Sequence, residues 1–296
     1  MEKTQMKYTL SDPDYYTEMY QVYAKKSNKY SHLLEWTENI FPKMVLQKLR
    51  ERFSAETHIN VLGIGTGSGE MDRKMAGIIN GHFKSVRNVV VEPAEKQLAI
   101  YRSVLESDKS KFKGIDFDFR QMVFDEYREH EGEHPPKYHF INAMQSIYYI
   151  DDVNDTLRYL YASLEEGGVL LITTLSDACG FQLVWNRFPQ VQDVAGPYPG
   201  TNDIRQSLLD LNIKFEENHQ RLYGDITSCF QEGSKEGELI VDFFSQIIDL
   251  RGTSPELYQE VVDYMGSEQC SEKKKDGTIL INSDWDAFVV YKPLSI

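Results

Sequence analysis

His58-Ile-Asn-Val-Leu-Gly-Ile-Gly65-Thr-Gly67-Ser-Gly69-Glu70 runs from a short apolar segment with no helical period into a turn carrying a glycine at every second position. An apolar run of this length, emptied by glycines into a helical stretch over 70–79, reads as a buried strand, a tight turn and a helix. The same rhythm continues outward: strands at 88–92, 115–119, 138–143 and 169–174 alternate with helical stretches at 94–105, 124–129 and 153–164, with a turn at Glu166-Gly167-Gly168. Strands alternating with helices predict an α/β fold, a doubly wound and mostly parallel sheet covered on both faces.

The flanks differ from this core. Residues 1–56 read as helical, with Pro42 expected to kink or split the second helix. After 176 the alternation stops: helices are expected at 181–188, 203–211, 241–250 and 255–265, a proline- and glycine-bearing loop at 190–200, and a hairpin from 278–281 and 287–291. The expected division is a helical cover at 1–56, a cofactor-binding core at 57–176, and a substrate-binding elaboration with a sheet-completing hairpin at 177–296. A formal charge of −14 over 296 residues repels phosphate backbones and anionic lipid, so neither nucleic acid nor membrane is an expected partner. Three cysteines form no Cys-x-x-Cys pair, none of the seven histidines stands in a metal-ligand spacing, and no apolar run has signal or spanning length. A cytoplasmic monomer without a metal is the expectation.

The glycine loop follows a strand and opens a helix, the context a nucleotide site needs. Its spacing is G-x-G-x-G, however, and Glu70 stands where a diphosphate would meet the helix N-terminus, so NAD is disfavoured. A nucleoside cofactor with a cationic amino-acid end and no phosphate suits the loop better, which points to S-adenosylmethionine. Glu92 closes the second strand 23 positions after Gly69, the place from which a carboxylate accepts hydrogen bonds from ribose hydroxyls. Tyr148 and Tyr149 follow another strand's carboxyl end, where such sheets bind ligands. A non-catalytic sensor of the same ligands stays open on these residues alone.

Four segments together, the loop 64–70, Val91-Glu92-Pro93-Ala-Glu-Lys-Gln97, Met144-Gln145-Ser-Ile-Tyr148-Tyr149 and Gly180-Phe181-Gln-Leu-Val-Trp185, resemble the histamine N-methyltransferase family of class I S-adenosylmethionine-dependent methyltransferases. The resemblance runs from Asp12 to Val290. It implies that Gly65, Gly67, Gly69, Glu92, Gln97 and Met144 hold the cofactor. It further implies that Gln145, Tyr148 and Tyr149 form the catalytic set, and that Tyr16, Tyr20, Tyr23, Phe181, Trp185, Phe188 and Phe243 line an aromatic substrate cavity. Two positions depart from the family: Lys29 stands where a glutamate would contact histamine, and Asn282-Ser283-Asp284 where a substrate-binding asparagine is expected. A lysine repels an ammonium and pairs with a carboxylate. The expected substrate is therefore a small imidazole, either histamine or a histidine derivative carrying an acid, such as carnosine.

Overall fold

The computed structural model describes residues 5–132, 135–150, 152–196 and 198–294. Ten strands form: β1 His58–Ile64, β2 Ser85–Val91, β3 Ile115–Arg120, β4 Tyr138–Met144, β5 Leu164–Leu175, β6 Phe215–Gln220, β7 Tyr223–Asp225, β8 Ser271–Lys273, β9 Ile279–Asn282 and β10 Trp285–Tyr291. Seven of them make one sheet in the order β3-β2-β1-β4-β5-β10-β6, and three make a small sheet in the order β7-β9-β8. The pairs β1/β2, β1/β4, β2/β3 and β4/β5 are parallel, as the alternating pattern predicts. Helices at Glu70–Asn80, Glu95–Ser107, Phe124–Glu131 and Val153–Ala162 connect consecutive strands of this series.

The chain divides into two compact units. The larger comprises Leu33–Thr174, Asn202–Asn218 and the chain from Ala287 onward; the smaller comprises the chain through His32, Leu175–Thr201 and His219–Asp286. In the larger unit Leu62, Ile64, Val89, Val91, Ile141, Ala143, Leu170 and Ile172 project from the central strands into a core shared with Leu157, Leu160, Ile204 and Leu208. Residues of opposite parity, including Ile59, Val61 and Val90, are buried as well. Burial of both parities explains why these strands read as unbroken apolar runs.

In the smaller unit Asp12 caps the helix Pro13–Ser27 by accepting the N–H groups of Asp14 and Tyr15 at 3.2 and 3.1 Å, with Pro13 at its first turn. Tyr16, Tyr20, Tyr23 and Ser27 recur at helical spacing on one side of it. Asn28, with φ 53°, ends the helix in the left-handed conformation and starts the next one, Lys29–Asn39. In the larger unit Pro42 opens a π-helical turn over Pro42–Leu46, the distortion expected of a ring that cannot donate to the helix.

Several local expectations need correction. Glu166-Gly167-Gly168 is not a turn between elements, because β5 runs through it. Part of 190–200 is helical, Pro189–Ala195, because Pro189 occupies the first turn, where a missing N–H is harmless. β9 and β10 are no hairpin: β9 lies at the centre of the small sheet while β10 joins the large one. The residues between them are held elsewhere, Ser283 N–H on the Leu222 carbonyl at 2.8 Å and the Asp284 carboxylate on the Leu222 N–H at 2.9 Å.

Candidate functional site

In the larger unit the glycine loop leaves β1 with Gly65, Gly67 and Gly69 at φ 60°, 55° and 72°, values that disfavour any side chain. Two of the three are also sterically required. A Cβ on Gly65 would lie 2.5 Å from the Ser146 Cβ, and one on Gly69 would lie 2.1 Å from the Tyr101 ring. A Cβ on Gly67 would meet nothing within 4 Å, so this middle glycine leaves one side of its backbone open. The loop is fixed from below: Gly65 N–H donates to the Val91 carbonyl at 2.8 Å, and Ser146 Oγ donates to the Ile64 carbonyl at 2.7 Å.

Asp72, in the first turn of the following helix, is buried beneath the loop. It accepts from Asn88 Nδ2 at 2.6 Å, Tyr101 OH at 2.6 Å and Asn142 Nδ2 at 3.0 Å. Burial raises its pKa, and the three donors oppose that rise.

Glu92 is buried at the end of β2, with Oε2 accepting the Gly67 N–H at 2.8 Å and Oε1 the Ala94 N–H at 3.0 Å. Burial raises its pKa while these two amides favour the charged form. A carboxylate has about four acceptor positions. Two amides leave room for two hydroxyl donors, so the residue fits a ribose while also holding the loop. Glu70 is exposed in the first helical turn, and Arg73 is turned to the Ser68 carbonyl and the Tyr101 ring. This donor set suits a phosphate-free cofactor. Gln97 and Met144 are both half-buried, the first in the helix Glu95–Ser107 and the second at the end of β4.

The next residue, Gln145, adopts φ 55°, unusual for a side chain of this size. Its backbone N–H donates to the Thr173 carbonyl at 3.1 Å and to Thr173 Oγ1 at 2.9 Å, and its Nε2 reaches the same oxygen at 3.3 Å. Its Oε1 is buried with no hydrogen-bond partner. A left-handed backbone and a buried unpartnered acceptor therefore coincide at a strand's carboxyl end, where sheets of this kind bind ligands. Tyr148, buried, and Tyr149, exposed, follow in the turn Ile147–Tyr149 with their rings 4.7 Å apart.

The smaller unit holds a continuous aromatic cluster. Tyr16 stacks on Tyr20 at 6.1 Å, Tyr20 and Tyr23 meet Phe243 at 6.0 and 4.3 Å, Phe243 meets Phe181 at 5.7 Å, and Phe181 stacks on Trp185 at 5.5 Å. Tyr198 joins it, 4.9 Å from both Phe181 and Trp185, and so does Phe244, 5.5 Å from Tyr23 and 6.0 Å from Phe181. Sequence reading missed Tyr198 because it lies in the proline- and glycine-bearing loop. Phe188 is buried at the end of the same helix as Trp185, with its recorded ring partner Tyr264 at 5.8 Å. Lys29 is buried, its Nζ 5.5 Å from the centre of the Tyr20 ring, and burial lowers its pKa to about 8. Asn282 bonds within its own turn, accepting from Asp284 N–H at 2.8 Å, and Ser283 is buried.

The sheet order, the glycine loop and the acid after β2 define a class I methyltransferase. The plantazolicin methyltransferase BpumL, solved with SAH, has this fold, superposing with a TM-score of 0.52 at 12% identity over 96% of this chain and 92% of its own. A methyltransferase-domain family model matches residues 37–232. Histamine N-methyltransferase B of Xenopus laevis is 30% identical over 95% of this chain and 96% of its own length. Carnosine N-methyltransferase 2 of Gallus gallus is 26% identical over 90% and 84%. The chain belongs to the histamine N-methyltransferase family and is a methyltransferase. Among the described residues no helix is long and apolar enough to cross a membrane.

Proposed function

We propose that the protein transfers a methyl group from S-adenosylmethionine to a ring nitrogen of a small imidazole, histamine or a related histidine derivative. The observation that carries this reading is the buried, unpartnered Oε1 of Gln145, immobilised through Thr173. A neutral imidazole has one N–H and one lone pair, and its pKa near 6.5 leaves much of it neutral at pH 7. An acceptor fixed on the N–H sets the tautomer, so the lone pair sits on the other nitrogen. Gln145 does this without charge and without taking a proton.

The cofactor supplies an electrophilic methyl group on a cationic sulfur. Gly65, Gly67 and Gly69 offer it close backbone approach, Glu92 offers the ribose two acceptor positions, and Gln97 and Met144 flank it. The aromatic residues Tyr16, Tyr20, Tyr23, Phe181, Trp185 and Phe243 bind the substrate and exclude water; aromatic faces attract cationic groups by about 0.5–2 kcal/mol each. Tyr148 and Tyr149 belong with Gln145. The work of the enzyme is positioning, because displacement at a sulfonium methyl needs a lone pair in line and little else. In this reading the catalyst is a single cytosolic chain whose partner is a small molecule.

The test is incubation of the protein with S-adenosylmethionine and, separately, histamine, histidine, β-alanyl-histidine and an imidazole-free amine, following S-adenosylhomocysteine and the methylated product by mass spectrometry. Methylation of the imidazole ring in at least one compound is expected. Tight S-adenosylhomocysteine binding with no turnover of any imidazole refutes the proposal.

A further inference from the structure

Lys29 occupies a position that opposes its charge in two ways. It is only 6% exposed, and no carboxylate among the described residues lies at ion-pair distance. The ionisable group recorded as acting on it is Cys179, whose thiol burial pushes up to about 12 and so keeps neutral. Asp284, which neighbours Cys179, is already engaged by His219 at 3.3 Å, the Leu222 N–H at 2.9 Å and Asn282 at 3.2 Å. The Tyr20 ring lies 5.5 Å from Nζ, and an aromatic face does not neutralise an ammonium.

Hydroxyl groups stand in the same part of the smaller unit. Cys179 acts on Tyr23 as well as on Lys29, and Ser27 and Ser283 lie beside the Tyr23 phenol. Both serines are buried, and apart from the Tyr23 phenol beside them neither hydroxyl has a hydrogen-bond partner. A buried cation without an anion, accompanied by two buried hydroxyls whose one neighbouring acceptor is a neutral phenol, is the complement of one planar anion: the ammonium supplies charge and the hydroxyls supply donors to its two oxygens.

We propose that Lys29, Ser27 and Ser283 form an anion subsite that receives a carboxylate of the substrate. This narrows the reading above and rests on it: the methylated imidazole carries an acid, and the subsite selects it against the corresponding amine. The single charge of Lys29 matches a carboxylate better than a phosphate dianion.

Matched pairs test the subsite: histidine against histamine, and β-alanyl-histidine against β-alanyl-histamine, with wild type, Lys29→Met, Lys29→Glu and Ser283→Ala. Wild type is expected to prefer the acid of at least one pair. Lys29→Met is expected to lower kcat/KM for that acid by roughly 10–100-fold and to change the decarboxylated partner less than threefold, with KM carrying most of the effect. Lys29→Glu reverses the preference, and Ser283→Ala gives a smaller loss confined to the acid. Equal effects on acid and amine overturn the subsite while leaving ring methylation standing. If nothing is methylated, the parent reading fails, and the subsite is then judged by thermal shift. Greater protection by imidazole-4-acetate than by its amide, lost in Lys29→Met, supports it, and equal protection overturns it.

Discussion

Replacing Lys29 by methionine should stabilise the ligand-free protein, an uncommon outcome for a buried substitution. The folded chain holds this lysine at about 8 against an ordinary 10.5 because burial disfavours the ammonium. At about 1.4 kcal/mol per tenfold change in proton affinity, the difference amounts to roughly 3 kcal/mol of destabilisation at pH 7. The sign follows from where the protons are. Below pH 8 the lysine is charged in both states and the folded state bears the full penalty. Between pH 8 and 10.5 the folded chain has released its proton while the unfolded chain retains it, so stability climbs with pH. Above 10.5 the penalty is gone. Methionine has similar length and no charge, so Lys29→Met should gain up to about 3 kcal/mol in urea denaturation at pH 7, and its advantage should shrink toward zero by about pH 10.5. A variant no more stable than wild type at pH 7, or an advantage indifferent to pH, would show that the ammonium is already compensated and would remove the basis of the reasoning.

Other substitutions probe the larger unit. Gln145→Leu should reduce kcat/KM for the imidazole by about 10–100-fold, the worth of one buried hydrogen bond to the reacting ring, while calorimetry shows S-adenosylhomocysteine affinity within twofold of wild type. Glu92→Ala should weaken S-adenosylhomocysteine binding at least about tenfold, since hydrogen bonds to a charged group contribute roughly 1.5–3 kcal/mol; unchanged affinity would take the ribose role from this residue. Gly69→Ala places a methyl 2.1 Å from a Tyr101 ring anchored on Asp72 at 2.6 Å, at a φ of 72°, and should lower stability by about 2–4 kcal/mol in thermal melts. Gly67→Ala, with open space around it, should cost only about 1–2 kcal/mol of stability yet impair cofactor binding.

The parallel core was legible because its central strands are buried on both faces and so read as apolar runs, with the glycine loop marking the turn after the first of them. β6 escaped for the opposite reason: Phe215-Glu-Glu-Asn-His-Gln220 is polar and half-exposed along the sheet edge, so no apolar run announces it. The supposed hairpin failed because strand propensity says nothing about partner choice; two apolar strands separated by two residues pair only if the turn folds them together, and here the Leu222 backbone captures the turn. Among site residues, Glu92 could be named from its position after a strand, and Gln145 through the family resemblance. Thr173, Asp72 and Ser27 could not, since a threonine in a buried strand, an acid in a helix and a serine at a helix end carry no local signal of what they meet.

The large sheet places β10, residues Trp285–Tyr291, between β5 and β6, both of which precede it in the chain. On the ribosome, therefore, the sheet cannot close until Tyr291 has emerged, and β6 must wait for a neighbour that is synthesised more than sixty residues later. The smaller unit, assembled from three separate segments, has the same dependence on late synthesis. Neither unit corresponds to a contiguous stretch of gene, so loss of Trp285–Tyr291 should strip an inner strand from the large sheet and leave β6 without its neighbour.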